Sequence, residues 1–212
     1  MGHAEAGSSA ITAENVHELF PEVEALSVMS PTTCGVSAAE SGDFEGYDEE
    51  QVRMMDKVCI VLDVDDEPIG RASKRVCHLV TNIDKGLLHR AFSCFVKLAQ
   101  ELGIKPEQVP LEDFYFLTRV HYKAPSDGKW GEHEMDCILF IQADVDLAVN
   151  RNEVQDFRWV SPEDLKRMFA TPVLQYTPWF KLICASLLFQ WWADLGTPEF
   201  QRNTNEKVIR RM

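Results

Sequence analysis

Apolar and polar residues alternate over several short stretches of this chain, and each stretch reads as a strand. Val58-Cys59-Ile60-Val61-Leu62 is the first. Asp65-Asp66-Glu67-Pro68 then turns the chain, and Ile69 to Arg71 returns as the second arm of a hairpin. Leu87 to Phe95 reads as another strand. Val96 to Leu102 reads as a helix stopped by Gly103. Phe116 to Tyr122 alternates as a strand, Ser126-Asp127-Gly128 is a turn, and Glu132 to Ile141 is a strand that is polar first and apolar later. Phe157 to Val160 reads as a short strand. Ser161-Pro162-Glu163-Asp164 carries the signals of a helix start: a serine cap, proline at the first position and acid in the first turn. That helix should run to about Phe169. Thr177-Pro178-Trp179 repeats the logic ahead of a longer helix ending near Gly196, apolar on most faces and so buried on several sides. The pattern predicts a mixed sheet flanked by helices, an α+β fold. There is no internal repeat.

Charge divides the chain in two. The net charge is -13, but residues 1–50 hold eleven Asp and Glu and no Lys or Arg, leaving 23 acids against 21 bases elsewhere. Residues 1–50 are therefore expected to be an acidic, flexible N-terminal extension, with residues 30–46 as linker. Within it Val16, Leu19, Phe20, Val23 and Leu26 recur at roughly helical spacing, which allows a short helix docking on the domain or a partner, limited by Pro21. Residues 51–212 form the folded domain. No basic arm for nucleic acid is present, and no apolar run is long enough to span a membrane. Six scattered cysteines without a C-x-x-C pair, and no signal peptide at the first residues, imply a reducing intracellular setting. The cytoplasm is the expected compartment. Arg210-Arg211-Met212, a distant relative of a peroxisomal tail, leaves the peroxisome as the alternative.

Candidate chemistry centres on Trp130-Gly131-Glu132-His133-Glu134. Strand alternation points Glu132 and Glu134 to one face. Two adjacent like charges are costly unless a cation or a shared proton offsets them. The spacing fits a metal or acid–base site, and it fits a solvated acidic strand end equally well. His78 and His89 could complete an N/O site for Mg, Mn or Zn, although each alone reads as an ordinary surface or core histidine. Tyr122 and Trp179 read as core aromatics or as a π-wall able to stabilise a cation.

Together these segments resemble the type I isopentenyl-diphosphate isomerases, which have a Nudix-like fold, and most closely the fungal members. The matching runs are Lys74 to His78, Gly86 to Ser93, Glu101-Leu102-Gly103-Ile104, Thr118 to Ala124, Ser126 to Glu134, and Thr177-Pro178-Trp179-Phe180-Lys181. The resemblance implies an enzyme of isoprenoid and sterol precursor supply. It interconverts isopentenyl and dimethylallyl diphosphate by adding one proton and removing another, a small-molecule reaction expected of a monomer. By the same resemblance, His78, His89, Glu132 and Glu134 are ligands of a divalent metal. Mg²⁺ is the expected ion, with Mn²⁺ or Zn²⁺ as alternatives at the His/Glu site. Glu134 is also an acid–base group with Tyr122 beside it. Trp179 faces the carbocation-like intermediate, Lys74 contacts the diphosphate, and Glu101 helps hold the Mg²⁺ bound to that diphosphate.

One part of the family pattern is missing. The family carries a long segment between the His-Arg-Ala-Phe-Ser strand and the Glu-Leu-Gly-Ile turn, including a hairpin, basic diphosphate-binding residues, a catalytic cysteine and a further metal-ligand histidine. Here Ser93-Cys94-Phe95 runs almost directly into Val96, and the domain is shortened between residues 95 and 100. Alternation turns Cys137 away from Glu134, Cys94 fails the same test against His89, and Cys34 lies in the acidic extension, so none of these replaces the lost thiol. The junction has no Gly or Pro to turn the chain. The expectation is an isomerase by family, impaired by a splice or gene-model deletion, with a non-catalytic diphosphate- or metal-binding relative as the alternative.

Overall fold

The computed structural model describes residues 10–26, 49–91, 98–125 and 128–212. The expected linker at residues 30–46, Cys34, Cys94, the Phe95–Val96 junction and Ser126-Asp127 of the expected turn lie outside them. The strands are β1 (Glu24–Ala25), β2 (Val58–Leu62), β3 (Pro68–Ser73), β4 (Leu88–Ala91), β5 (Tyr115–Pro125), β6 (Gly131–Phe140) and β7 (Ile209–Arg211). They form a mixed seven-stranded sheet in the order β1-β3-β2-β4-β6-β5-β7. With the helices this is the α+β class expected. The chain divides into two compact units, residues 1–90 with 125–135, and residues 91–124 with 136–212.

In the first unit, the β2–β3 hairpin forms as the pattern predicts. Its turn places Asp66 at positive φ, and the Asp63 side chain accepts from the backbone N–H of Asp65 and Glu67. Strand β4 pairs antiparallel with the other side of β2, opposing Val61 to His89 and Leu62 to Leu88. Two short helices follow the hairpin, α3 (Lys74–His78) and α4 (Val80–Asp84), with α2 (Glu49–Met54) ahead of it. Part of the stretch expected to be a flexible extension is core. Helix α1 (Val16–Leu19) and the residues after it bury Val16, Phe20 and Val23 against Val61, Ile69, Val76 and Leu87. Strand β1 then adds to the edge of β3, opposing Ala25 to Gly70. A Cβ at Gly70 would stand 2.7 Å from a Val23 methyl and 3.0 Å from the Glu24 carbonyl oxygen, so only glycine admits this segment. The helical spacing that allowed a short docking helix here is realised over Val16–Leu19, with Val16, Phe20 and Val23 buried on the domain.

In the second unit, β7 pairs in parallel with β5, opposing Val120 to Arg210. The basic C-terminus is thus an edge strand, tied by Thr118 and Arg119 side chains donating to the Val208 and Lys207 carbonyls. Residues 98–100 are helical (α5), and Gly103 follows at φ +66. A Cβ there would lie 2.3 Å from the Ala148 carbonyl oxygen, which sits close because its own amide bonds the Leu102 carbonyl. Helix α6 (Pro162–Phe169) has the expected Ser161 cap, reciprocated by Asp164. The long helix after Thr177 is broken into α7 (Pro178–Ile183), a π-helical turn (Cys184–Leu188) and α8 (Phe189–Asp194), and Thr177 makes no side-chain cap bond. Ile183, Trp191, Leu117 and Phe200 form its core. Residues 157–160, expected as a strand, are irregular. They have no partner strand, and Trp159 is 70% exposed.

Phe20→Ala should lower stability by about 3–5 kcal/mol, the usual cost of deleting a buried phenylalanine. A shifted denaturant midpoint reads this, and an unchanged midpoint would show that residues 10–26 contribute no core. Ser161→Ala should cost about 1 kcal/mol through loss of the cap. The Ser161 hydrogen bond holds the Asp164 carboxyl below its ordinary value. A carboxyl depressed by folding stabilises above its unfolded pKa, and that contribution fades as pH falls through the folded one. The Ser161→Ala penalty measured by denaturation should therefore shrink on acidification.

Candidate functional site

Three side chains of the first unit converge. His78 ends helix α3, whose start is capped by Ser73 accepting from the Val76 amide. His89 sits on β4 at the register position opposite Val61. Glu134 lies on β6. His78 Nε2 is 3.4 Å and His89 Nε2 is 3.2 Å from the same oxygen, Glu134 Oε1. The two ring centroids are 4.7 Å apart. His89 is 2% exposed, and the His78 and Glu134 side chains are exposed by 14% and 12%.

Tautomer decides what this geometry can do. His78 Nδ1 lies 2.8 Å from the Lys74 carbonyl oxygen. A carbonyl only accepts, so Nδ1 carries a proton and Nε2 is the nitrogen turned toward Glu134. A divalent ion between Nε2 and the carboxylate, or a proton on Nε2, makes this pairing attractive. His89 Nδ1 is buried without a hydrogen-bond partner among the described residues. Such an atom costs about 1–3 kcal/mol unless a water or ligand meets it.

The donor set fits a divalent ion. All three ligand atoms lie within 4.8 Å of one another. Ligands bonded to one such ion at about 2.0–2.2 Å stand about 3 Å apart, close to the spacing found. Two imidazoles and a carboxylate suit Zn, Mn or Mg, and the Lys74 carbonyl orients His78 in the way metal-bound histidines are commonly oriented.

Glu132, two residues earlier on β6, lies outside the group of mutually close ligand atoms. Between the two carboxylates, His133 donates from Nδ1 to the Leu87 carbonyl at 2.9 Å, pinning β6 beside the start of β4. Lys74 opens α3 and is half-buried. Tyr122, Trp179 and Glu101 belong to the second unit. Tyr122 is buried with Val120 and Ala124, and Trp179 packs against that cluster. The Glu101 carbonyl accepts from the Asn150 amide, fixing the backbone beside Gly103.

Sequence patterns overlooked a thiol pair. Cys59 on β2 and Cys77, next to His78, are hydrogen-bonded to each other. That bond, with the positive charge of Lys74 nearby, holds the Cys59 thiol below its usual range despite its burial. The same bond and burial push Cys77 up. Only the adjacency of Cys77 and His78 signalled this in the sequence.

Comparison with known proteins gives the class and then the family. A Nudix domain model matches residues 97–180. The isopentenyl-diphosphate delta-isomerase of Aspergillus fumigatus is 51% identical over 267 aligned positions, covering 95% of this chain and 96% of that protein. That of Gibberella zeae is 47% identical with the same coverage, and that of Candida albicans is 36% identical over 88% of this chain and 92% of the relative. The chain belongs to the isopentenyl-diphosphate delta-isomerase family, enzymes that move a carbon–carbon double bond. An alignment of 267 positions cannot be filled by 212 residues, so at least 55 positions are occupied by the Aspergillus relative alone.

Metal binding should raise the melting temperature, since a ligand that binds only the native state stabilises it. Glu134→Gln should abolish that rise, and Glu132→Gln should reduce it less. No change in Glu132→Gln would exclude Glu132 as a ligand.

Proposed function

We propose that this chain is an isopentenyl-diphosphate delta-isomerase by descent whose turnover is impaired by loss of an internal segment. The observation that carries the reading is the convergence of His78, His89 and Glu134 on one point, in a chain 51% identical to a fungal isomerase. The substrates are isopentenyl and dimethylallyl diphosphate. The reaction adds a proton to one alkene carbon and removes one from another.

Glu134 is the proton carrier. Its carboxylate is 12% exposed and held between two imidazoles, which favours proton transfer away from bulk water. A divalent ion held by His78, His89 and Glu134, with Glu132 as a further ligand, supplies positive charge that fixes the carboxylate and tunes its acidity. Mg²⁺ is the proposed ion, and Mn²⁺ or Zn²⁺ suits the same donors. Lys74 neutralises the diphosphate, and Glu101 holds the Mg²⁺ that accompanies it. By the resemblance, Tyr122 takes part in the acid–base chemistry and Trp179 offers a π-face to the cationic intermediate. Packing of Trp179 against the Tyr122 cluster supports a shared aromatic wall. The cytoplasm is the proposed compartment and a monomer the proposed state. No helix among the described residues is long and apolar enough to cross a membrane.

The impairment follows from what the chain lacks. The resemblance assigns the second acid–base group to a cysteine in the absent segment. Among the described cysteines, Cys137 lies three residues from Glu134 on one strand and so on its opposite face. Cys184 is a core thiol of the second unit, pushed up to about 11 by burial. Cys59 and Cys77 hydrogen-bond each other and stay outside the ligand cluster. The same loss favours a second reading, a relative that binds metal and diphosphate without turnover. Diphosphate hydrolysis of the Nudix kind is disfavoured, because the glutamate-rich front of that helix is absent from the sequence.

The test is conversion of isopentenyl diphosphate by the purified chain with Mg²⁺, beside the Aspergillus relative. The expected rate is lower by about 100-fold or more, the usual cost of losing a general acid or base. Turnover equal to the relative's would overturn the impairment. Metal binding with no detectable turnover would favour the non-catalytic reading. A transcript that restores the missing segment would assign the deletion to the gene model.

A further inference from the structure

The second unit holds a recess that the isomerase chemistry does not use. It has a volume of about 230 Å³ and is lined by Lys166 and Phe169 of α6, Lys181 of α7, Cys184 and Ala185 of the π-turn, and Phe189 of α8. It is an open recess: Phe169 and Phe189 give half-buried aromatic walls, and Lys166, Lys181 and Ala185 are exposed at its rim. Lys166 Nζ stands 4.8 Å from the centroid of the Phe189 ring, so a cation is held over an aromatic wall. Neither lysine has an ion-pair partner among the described residues. Two of the lining residues belong to the π-helical turn, a local irregularity found often at functional sites and costly where none is needed. Trp179, proposed for the isomerase reaction, is not part of the lining.

We propose that this recess binds a short prenyl diphosphate, its hydrocarbon tail between Phe169 and Phe189 and its head at Lys166 and Lys181. Charge selects the head. Two uncompensated ammonium groups match a diphosphate, which carries more than one negative charge, better than a carboxylate. Shape and chemistry select the tail. An apolar recess of this volume accommodates a chain of about ten carbons at most, and aromatic walls favour an unsaturated one. The choice of prenyl over other unsaturated tails rests on the proposed isoprenoid function. Binding at this recess would let a prenyl diphosphate lengthened by a separate condensation reaction act on this chain.

Calorimetric titration of the full chain with geranyl diphosphate tests this. Excess EDTA removes any metal-dependent binding at the His78–His89–Glu134 site. Saturable binding is expected, weakened at least tenfold in the Lys166→Gln/Lys181→Gln variant and lost in Ala185→Trp, which fills the recess. Circular dichroism melts establish that both variants fold. The double lysine variant keeps the recess shape if Ala185→Trp proves unstable. Glu134→Gln should bind normally, which separates this proposal from the isomerase reading. Loss of binding in Glu134→Gln with retention in the lysine variant would overturn the assignment. Equal affinity for inorganic diphosphate would reduce the site to an anion patch and overturn it too. Equal affinity for decanoate would show that the head is not selected, with the same consequence.

Discussion

One oxygen atom organises the first unit. Glu134 Oε1 faces two imidazole nitrogens at 3.2 and 3.4 Å, and the Lys74 carbonyl turns His78 so that Nε2 points at it. The geometry calls for a positive charge at this point, from a bound ion or a protonated imidazole, in a place that water barely reaches. With one, three separate secondary-structure elements acquire a common fixed point. The β2–β4 register sets the height of His89, the His133 bond to Leu87 sets β6 beside β4, and the Ser73 cap starts the helix that ends in His78. Each of these devices stabilises its own element, and together they bring the three side chains to one point.

Much of the fold was legible because its signals are local. The Ser161–Asp164 box, the Asp-rich hairpin turn and the alternation of β5 and β6 each depend on residues within a few positions of one another. What failed depended on partners far along the chain. Residues 157–160 alternate like a strand but find no neighbour to pair with. Val16, Phe20 and Val23 read as a short helix able to dock, but the surface it docks on is made by distant residues, Val61, Ile69 and Leu87, with Gly70 leaving room for Val23. Helices α3 and α4 are five residues each, too short for an apolar stripe to be read.

The site was legible to a different depth. Carboxylate alternation offered a metal and a solvated strand end on equal terms, and the family resemblance chose between them. The choice among ligands then fell to register: His78, His89 and Glu134 share a point, and Glu132, on the same face of the strand, stays outside it. The thiol pair was invisible because Cys59 and Cys77 belong to different elements and meet only in the folded sheet.

The docking of β1 on β3 has a kinetic consequence. Glu24 and Arg71 are hydrogen-bonded across 47 positions of sequence, whereas β2 and β3 are joined by a turn of a few residues. Closing the longer loop costs more entropy, so the hairpin can form early and the N-terminal segment closes on it late. Until it does, the faces of Val61, Ile69 and Leu87 that Val16, Phe20 and Val23 will cover stand open to water. During that interval an N-terminal segment from another molecule competes for the same groove, so exchanged pairs become more frequent as the concentration of refolding chains rises.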